Sequence, residues 1–373
     1  MKIFVFTNLF AEDSYIGGAE IQAYLLARHL ASKNHQVNYI IWDGRGNIKE
    51  KQVENFKVDY LGKSDKGLIK HAINFYKICK LKSPDLCFIR NFRYLFILSF
   101  VCKILKIPAV YNTTHIDNCQ PYPKKIKFSI NLKHTLGSAM NAWYHYLSLR
   151  ALKSVNVITI NQTQAKILGQ KYKIPATPIY NSMDDSYPQN KPAIKENIVI
   201  WAANLKARKQ PELFINLAND LKNTNYKFLM IGYLQNNTKF YQDLINQTQA
   251  SNPNFKYLGG MPAEEVNKLL AKSKIFVNTC LPEGFGNNFI QAWFNECPTI
   301  TLDFDPDDII KNHKIGYHSG SYEQLVKDTR FLIENPSTTE EMSQRARLYA
   351  LENHLPQKNM VKYEKFFEAL IKK

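Results

Sequence analysis

Apolar residues fall along this chain in two alternating rhythms. Short, nearly continuous runs rich in Ile, Val, Phe and Tyr occupy 2–8 (KIFVFTN), 36–42 (QVNYIIW), 86–90 (LCFIR), 108–114 (PAVYNTT) and 155–161 (VNVITIN). Between them apolar positions recur every three to four residues, as in 19–33 (AEIQAYLLARHLASK) and 67–82 (GLIKHAINFYKICKLK). The scheme repeats further on. Strand-like runs at 197–203, 226–233, 274–279 and 298–303 are interleaved with helical periods at 211–222, 263–272 and 287–296. A strand that is apolar at almost every position is covered on both faces, so the alternation predicts parallel sheets between layers of helices.

The two series are separated by YNSMDDSYPQNKPAIKEN (180–197), whose Asn, Asp, Ser and Pro content breaks regular structure and suits a hinge. At 373 residues the chain is long for one core. The expected class is therefore α/β, with two Rossmann-like domains facing a central cleft. The expected boundaries are 1–182 for the first domain, 183–196 for the linker and 197–354 for the second domain. The remainder, 355–373, carries Met360, Tyr363, Phe367 and Leu370 at helical spacing. It predicts a closing amphipathic helix that packs back on the first domain. In open α/β sheets ligands bind beyond the carboxyl ends of the strands, so the site is expected there.

Charge adds an asymmetry to this picture. The net charge is +17, and residues 51–150 alone hold 17 Lys and Arg against 5 Asp and Glu. Such a field attracts phosphates, of a substrate or of anionic lipid headgroups. The segment 63–82 is basic and helical in period, with Lys66, Lys70, Lys77 and Lys80 among Leu68, Ile69, Phe75, Tyr76 and Ile78. Together with Lys124, Lys125, Lys127 and Lys133 it predicts contact with an anionic membrane surface. No helix-turn-helix, zinc or RRM-type pattern accompanies the charge, and no nucleic acid partner is expected. Six cysteines at scattered spacings form no CxxC pair, which points to reduced thiols in a cytoplasmic protein. The longest apolar run, 94–102, is far short of a membrane span.

The richest candidate chemistry lies at 280–296, CLPEGFGNNFIQAWFNE. A strand runs into a loop with Glu283, Gly284, Phe285 and Gly286, and a helix starts near Asn287 or Asn288, either of which can cap it. Loop N–H groups and a new helix N-terminus suit an anion. Glu283 can accept from hydroxyls, and Gln291, eight residues on, faces the same way. A second segment, WAANLKARKQPELF (201–214), places Lys206, Arg208 and Lys209 before Pro211 at a helix start, where they can neutralise a diphosphate. In the first half, Gly17 and Gly18 precede a helix and permit positive φ and close ligand approach. Glu20 suits the first turn of that helix. His115 stands just after the run 108–114.

The order NLKARKQPELF, FLMIGY, FKYLGG, PEGFGNNFIQAW resembles the C-terminal domain of GT-B-fold glycosyltransferases, specifically the retaining family 4 group. IGGAEIQAYLLARHLASKNHQV and PIYNSMD are similar to that family's first glycine loop and its Pro-Asn-Gly-Val-Asp segment. The resemblance spans roughly residues 1 to 350 and implies transfer of a sugar from a nucleotide-diphosphate sugar, UDP- or GDP-linked, to an acceptor hydroxyl. It implies retention of configuration, no cofactor and no catalytic metal, so the DxD within DFDPDD (303–308) is not expected to hold an ion. Glu283 matches the first carboxylate of the family's Glu-x7-Glu motif, which contacts the donor sugar, and Gln291 replaces the second, which binds ribose. Lys209 matches the diphosphate-binding Lys, while Asn204 stands at the paired Arg, leaving Lys206 or Arg208 to supply that charge. His115 matches an active-site His, Gly17 and Gly18 lie against diphosphate and acceptor, and backbone near Leu258 reads the base. The implied acceptor is a lipid-linked or cell-envelope glycan precursor of polysaccharide biosynthesis, met at the inner face of the membrane. A sugar-nucleotide epimerase of the same fold and a non-catalytic binding protein remain as alternatives.

Overall fold

A computed structural model of the chain describes residues 1–8, 10, 17–41, 50–61, 68–121, 132–186, 195–234 and 238–372. Lys63, Lys66, Lys124, Lys125 and Lys127 of the basic segments lie outside these. The chain forms two compact units, Met1–Ser182 with Pro356–Lys373, and Met183–Leu355.

The first unit runs β1 (Lys2–Thr7), α1 (Gly18–Ser32), β2 (Gln36–Ile41), β3 (Glu50–Val53), β4 (Phe56–Tyr60), α2 (Leu68–Lys82), β5 (Leu86–Ile89) and α3 (Leu95–Ile104). It continues with β6 (Ala109–Asn112), α4 (Leu132–Ala151), β7 (Asn156–Thr159), α5 (Gln162–Tyr172) and β8 (Ala176–Pro178). Its strands lie in the order β3-β4-β2-β1-β5-β6-β7-β8. All pairs are parallel except β3 with β4, a hairpin turned at Glu54 with φ +46°. Alternate residues of β1 go to opposite faces. Ile3 and Val5 join the cluster under α1, while Phe4 and Phe6 join the one beneath α2 and α3. That is why the run 2–8 is apolar at nearly every position.

The second unit runs β9 (Ile198–Ala202), α6 (Pro211–Asp220), β10 (Lys227–Ile231), α7 (Thr238–Ser251), β11 (Phe255–Tyr257), α8 (Ala263–Lys272) and β12 (Ile275–Asn278). It is completed by α9 (Asn287–Phe294), β13 (Thr299–Thr301), α10 (Ile309–Asn312), β14 (Gly316–His318), α11 (Tyr322–Glu334) and α12 (Pro336–Asn353). The strand order is β11-β10-β9-β12-β13-β14, and every pair is parallel. The chain then returns to the first unit as α13 (Pro356–Ile371). There Met360, Tyr363 and Phe367 are buried, with the Tyr363 and Phe367 rings 5.8 and 5.6 Å from Phe88.

Two positions in this architecture matter for function. The first sheet reverses its direction of winding between β1 and β5, and the second between β9 and β12. At such a reversal the connections leave on opposite faces and open a crevice at the strand carboxyl ends. All six cysteines are buried and free.

Candidate active site

At the second unit's reversal the loops after β9 and β12 are tied to each other. Lys209 donates to both oxygens of Glu283, at 2.9 and 2.8 Å, with the two side chains only 14% and 16% exposed. Burial pulls the Lys209 ammonium down, but Glu283 and Cys280 outweigh it and the net shift is upward. Cys280 itself is pushed up to about 11, by burial first and then by Glu283, against the pull of Lys209. Arg208 donates to the Pro282 carbonyl, and Leu281 N–H returns a bond to the Arg208 carbonyl at 3.0 Å. Beneath them Thr279, fully buried, accepts from Trp201 Nε1 at 3.0 Å and donates to the carbonyls of Lys209 and Gln210 at 2.7 and 3.0 Å.

Both loops end at helix N-termini that no side chain caps. Gln210, in the left-handed region, precedes Pro211 of α6, and Gly286, with φ +78°, precedes α9. The sequence pointed to Asn287 or Asn288 as the cap, but the structure places Gly286 there. Asn288 is turned instead to donate to the Ala202 carbonyl at 3.3 Å, leaving its buried Oδ1 without a partner. A Cβ on Gly286 would lie 3.0 Å from Glu283 Oε1 and 3.1 Å from Phe289. Phe285 is buried against Trp293 and His354. What the two loops offer is therefore a neutralised carboxylate–ammonium pair, the exposed Lys206, and two uncapped helix starts facing the reversal.

The two departures from the motif are occupied locally. Asn204 accepts from Tyr233 N–H at 3.3 Å, and Gln291 donates to Asn267 of α8 at 3.4 Å. Leu258 N–H bonds the Met230 carbonyl at 2.9 Å, and the Tyr233 ring lies so close to Gly260 that a Cβ there would come within 2.2 Å of it. In the loop after β13, Asp305 receives the Ile310 and Lys311 N–H groups at 2.9 and 3.1 Å and so caps α10.

In the first unit, Gly17 is the N-cap of α1 with φ −90°, and Gly18 is its first residue. Neither uses positive φ, contrary to the expectation. A Cβ on Gly17 would sit 2.7 Å from Glu20 Oε2, the far end of a flexible side chain that can move aside. His115 caps a 3-10 turn at Ile116–Cys119. Its Nδ1 accepts from Asp117 N–H at 3.1 Å and lies 3.1 Å from Asp117 Oδ2. Asn118 Oδ1 answers with bonds from His115 N, Thr114 N and Tyr111 Oη at 3.0, 2.8 and 3.0 Å.

Sequence reasoning missed three residues. Arg90, at the end of β5, is buried with Nη1 on Asn112 Oδ1 at 2.6 Å and Nε unpartnered. A basic residue closing an apolar strand was the available signal. Gln22 clips Ser182 through bonds of 2.6 and 2.8 Å, and Thr279 joins the two loops of the second unit. Gln22 is a single polar residue in an apolar stretch, and Thr279 follows Asn278 at the end of β12.

Comparison with known proteins places this geometry. Residues 16–187 match the model of Glycosyltransferase Family 4, and residues 183–349 match that of Glycosyl transferases group 1. No curated protein sequence matches significantly. Among solved structures, HepE from Anabaena in complex with UDP superposes with a TM-score of 0.74 at 15% identity, over 99% of this chain and 100% of that one. A TarM mutant from S. aureus, in complex with Fondaparinux, alpha-GlcNAc-glycerol and UDP, gives 0.75 at 13% identity, covering 98% and 100%. WaaG, a glycosyltransferase involved in lipopolysaccharide biosynthesis, gives 0.69 at 15%, covering 96% and 98%. At such identities the superpositions carry the fold, while the two family models run almost end to end along the sequence. The chain belongs to the GT-B-fold glycosyltransferases of group 1 and family 4.

Proposed function

We propose that the protein transfers a sugar from a UDP- or GDP-linked donor to a hydroxyl of a lipid-linked or cell-envelope glycan precursor, with retention and without a catalytic metal. Glu283 holds the donor sugar. Lys209, with Arg208 or Lys206, and the N-termini of α6 and α9 take the charge that develops on the departing diphosphate. The backbone of Gly284, Phe285, Gly286 and Asn287 lines the phosphates, Gln291 accepts the ribose and Leu258 lies at the base. Gly17 and Gly18 lie against the diphosphate and the acceptor, and His115 contacts the donor sugar or assists at the reaction centre. In the reaction the bond from the anomeric carbon to the phosphate oxygen breaks, and the acceptor oxygen bonds to that carbon from the vacated face. The acceptor's proton leaves with the nucleotide diphosphate.

The observation that carries this reading is the bidentate Lys209–Glu283 contact, which joins the loops at the ends of β9 and β12. An ammonium and a carboxylate held together at a sheet reversal present opposite charges to a ligand that has phosphate at one end and hydroxyls at the other. Support for the donor comes from HepE, solved also with UDP-glucose, and for a cell-envelope acceptor from WaaG and its lipopolysaccharide pathway.

The test is a ligand-observed NMR screen of UDP-, GDP-, ADP- and CMP-sugars against the wild type and Glu283→Ala, followed in time for released nucleotide. One donor should bind in a Glu283-dependent way and be hydrolysed slowly without acceptor. Epimerised donor with no nucleotide release would replace the transferase by an epimerase. Failure of every nucleotide sugar to bind would leave a binding protein that has kept the fold.

A further inference from the structure

At the carboxyl end of α1, well away from the residues discussed so far, four titratable side chains meet. His29 Nε2 and His35 Nε2 lie 3.0 and 2.9 Å from the two oxygens of Glu364, on α13. Glu368, one turn further along α13, brings its carboxylate to the same place, so that one ligand atom each of His35, Glu364 and Glu368 lies within 4.8 Å of the other two. The histidines are 13% exposed and Glu364 16%. Gly17, at the other end of the 15-residue α1, is about 22 Å away at 1.5 Å per residue.

Hydrogen bonding accounts for three of these groups and leaves the fourth unexplained. Each histidine has a carboxylate oxygen, and each Glu364 oxygen has a histidine. Glu368 makes no side-chain hydrogen bond to a described residue, yet it points a second carboxylate at the first. Like charges this close repel unless a cation lies between them.

We infer that His35, Glu364 and Glu368 form a site for a divalent transition ion of the Zn2+ kind, which staples α13 to α1. Imidazole nitrogen with carboxylate oxygen is a borderline ligand set suited to that class of ion. Bonds of about 2.0–2.2 Å need ligand atoms roughly 3.4 Å apart in a tetrahedron, a closure of up to about 1.4 Å from the arrangement here. His29, on the second oxygen of Glu364, orients that ligand, and water takes the fourth position. His35 Nδ1 faces the Met1 amino nitrogen at 3.2 Å. Once Nε2 holds the ion, Nδ1 carries the ring proton. The ligands come from positions 35, 364 and 368, so the ion ties the returning helix to the start of the chain.

The experiment uses the untagged full-length chain, stripped with EDTA and titrated at pH 8.5 with ZnCl2 by calorimetry and with CoCl2 by visible absorption. One ion per chain should bind, the cobalt form should show tetrahedral d–d bands, and Glu368→Gln should weaken affinity at least tenfold, in line with about 10–100-fold for metal-site partners. Zinc at about 100 times the wild-type Kd should raise the wild-type Tm by roughly 5 °C and that of Glu368→Gln by no more than about half as much. In EDTA Glu368→Gln should melt no lower than wild type, because the lost charge served no hydrogen bond. Absence of stoichiometric binding, or equal binding by wild type and Glu368→Gln, would overturn the site and leave a hydrogen-bonded latch.

Discussion

Lys209 is where charge, burial and position meet most closely. Burial lowers its pKa, but Glu283 and then Cys280 raise it further, so the folded value exceeds the unfolded one. The stabilisation from this pairing is complete below the unfolded lysine value, about 10.4, and is lost as pH rises through the higher folded value. Donor binding should therefore be insensitive to Lys209 titration from neutral pH up to about 10. Lys209→Met leaves the mostly buried Glu283 without its cation and should cost about 1–3 kcal/mol in urea unfolding. It should also weaken donor binding at least tenfold. The double variant Lys209→Met/Glu283→Gln should recover much of the stability and none of the binding, which separates a site pair from a structural one. Unchanged donor affinity in Lys209→Met would remove Lys209 from the proposed site.

At the level of elements, Gly286 joins loop to helix, and its constraint is both conformational and spatial. At φ +78° an added Cβ costs about 1–2 kcal/mol in backbone strain, and it would press on Glu283 and Phe289. Gly286→Ala should lower Tm and donor affinity together, whereas Gly17→Ala, with ordinary φ and only the flexible end of Glu20 to displace, should leave Tm within about 2 °C. Differential scanning fluorimetry and a donor titration on both variants would check the contrast. The same comparison explains what the sequence could and could not disclose. Long apolar strands and the helices at 18–32, 211–220 and 263–272 were legible because burial on both sheet faces, or on one helix face, imposes a period. The β3–β4 hairpin was not, because β3 reads Glu-Lys-Gln-Val with three exposed side chains and sits at the sheet edge. Three-residue strands such as β8, β11 and β14 are too short to show any alternation. Glu283 and Lys209 were legible as separate residues in motifs. Their contact across 74 positions was not, since it depends on Thr279 holding the two loops together.

On the scale of the molecule, charge and apolar surface coincide on the first unit. Helices α2, α3 and α4 pack in sequence on one side of the sheet and expose apolar residues at helical spacing. These are Ile69 and Ile73 with Leu81 on α2, Phe100 and Ile104 on α3, and Met140, Trp143 and Tyr146 on α4. Trp143 is 57% exposed and Leu81 82%, values at odds with a surface that faces only water. Exposed Lys70, Lys77, Lys80, Lys103 and Arg150 lie on the same helices, and Lys106 just beyond the end of α3. Among the described residues no helix is long and apolar enough to cross a membrane. A lipid-linked acceptor would be met at a bilayer surface, and shallow apolar insertion combined with basic attraction is how such a surface is held. The protein should therefore sediment with vesicles of anionic phospholipid and not with neutral ones, and binding should fall steeply as salt rises. Trp143→Ala combined with Ile73→Glu should reduce vesicle binding about tenfold or more while leaving donor binding unchanged. Equal sedimentation of the double variant and wild type would assign the apolar layer to another partner and leave the acceptor to be sought in solution.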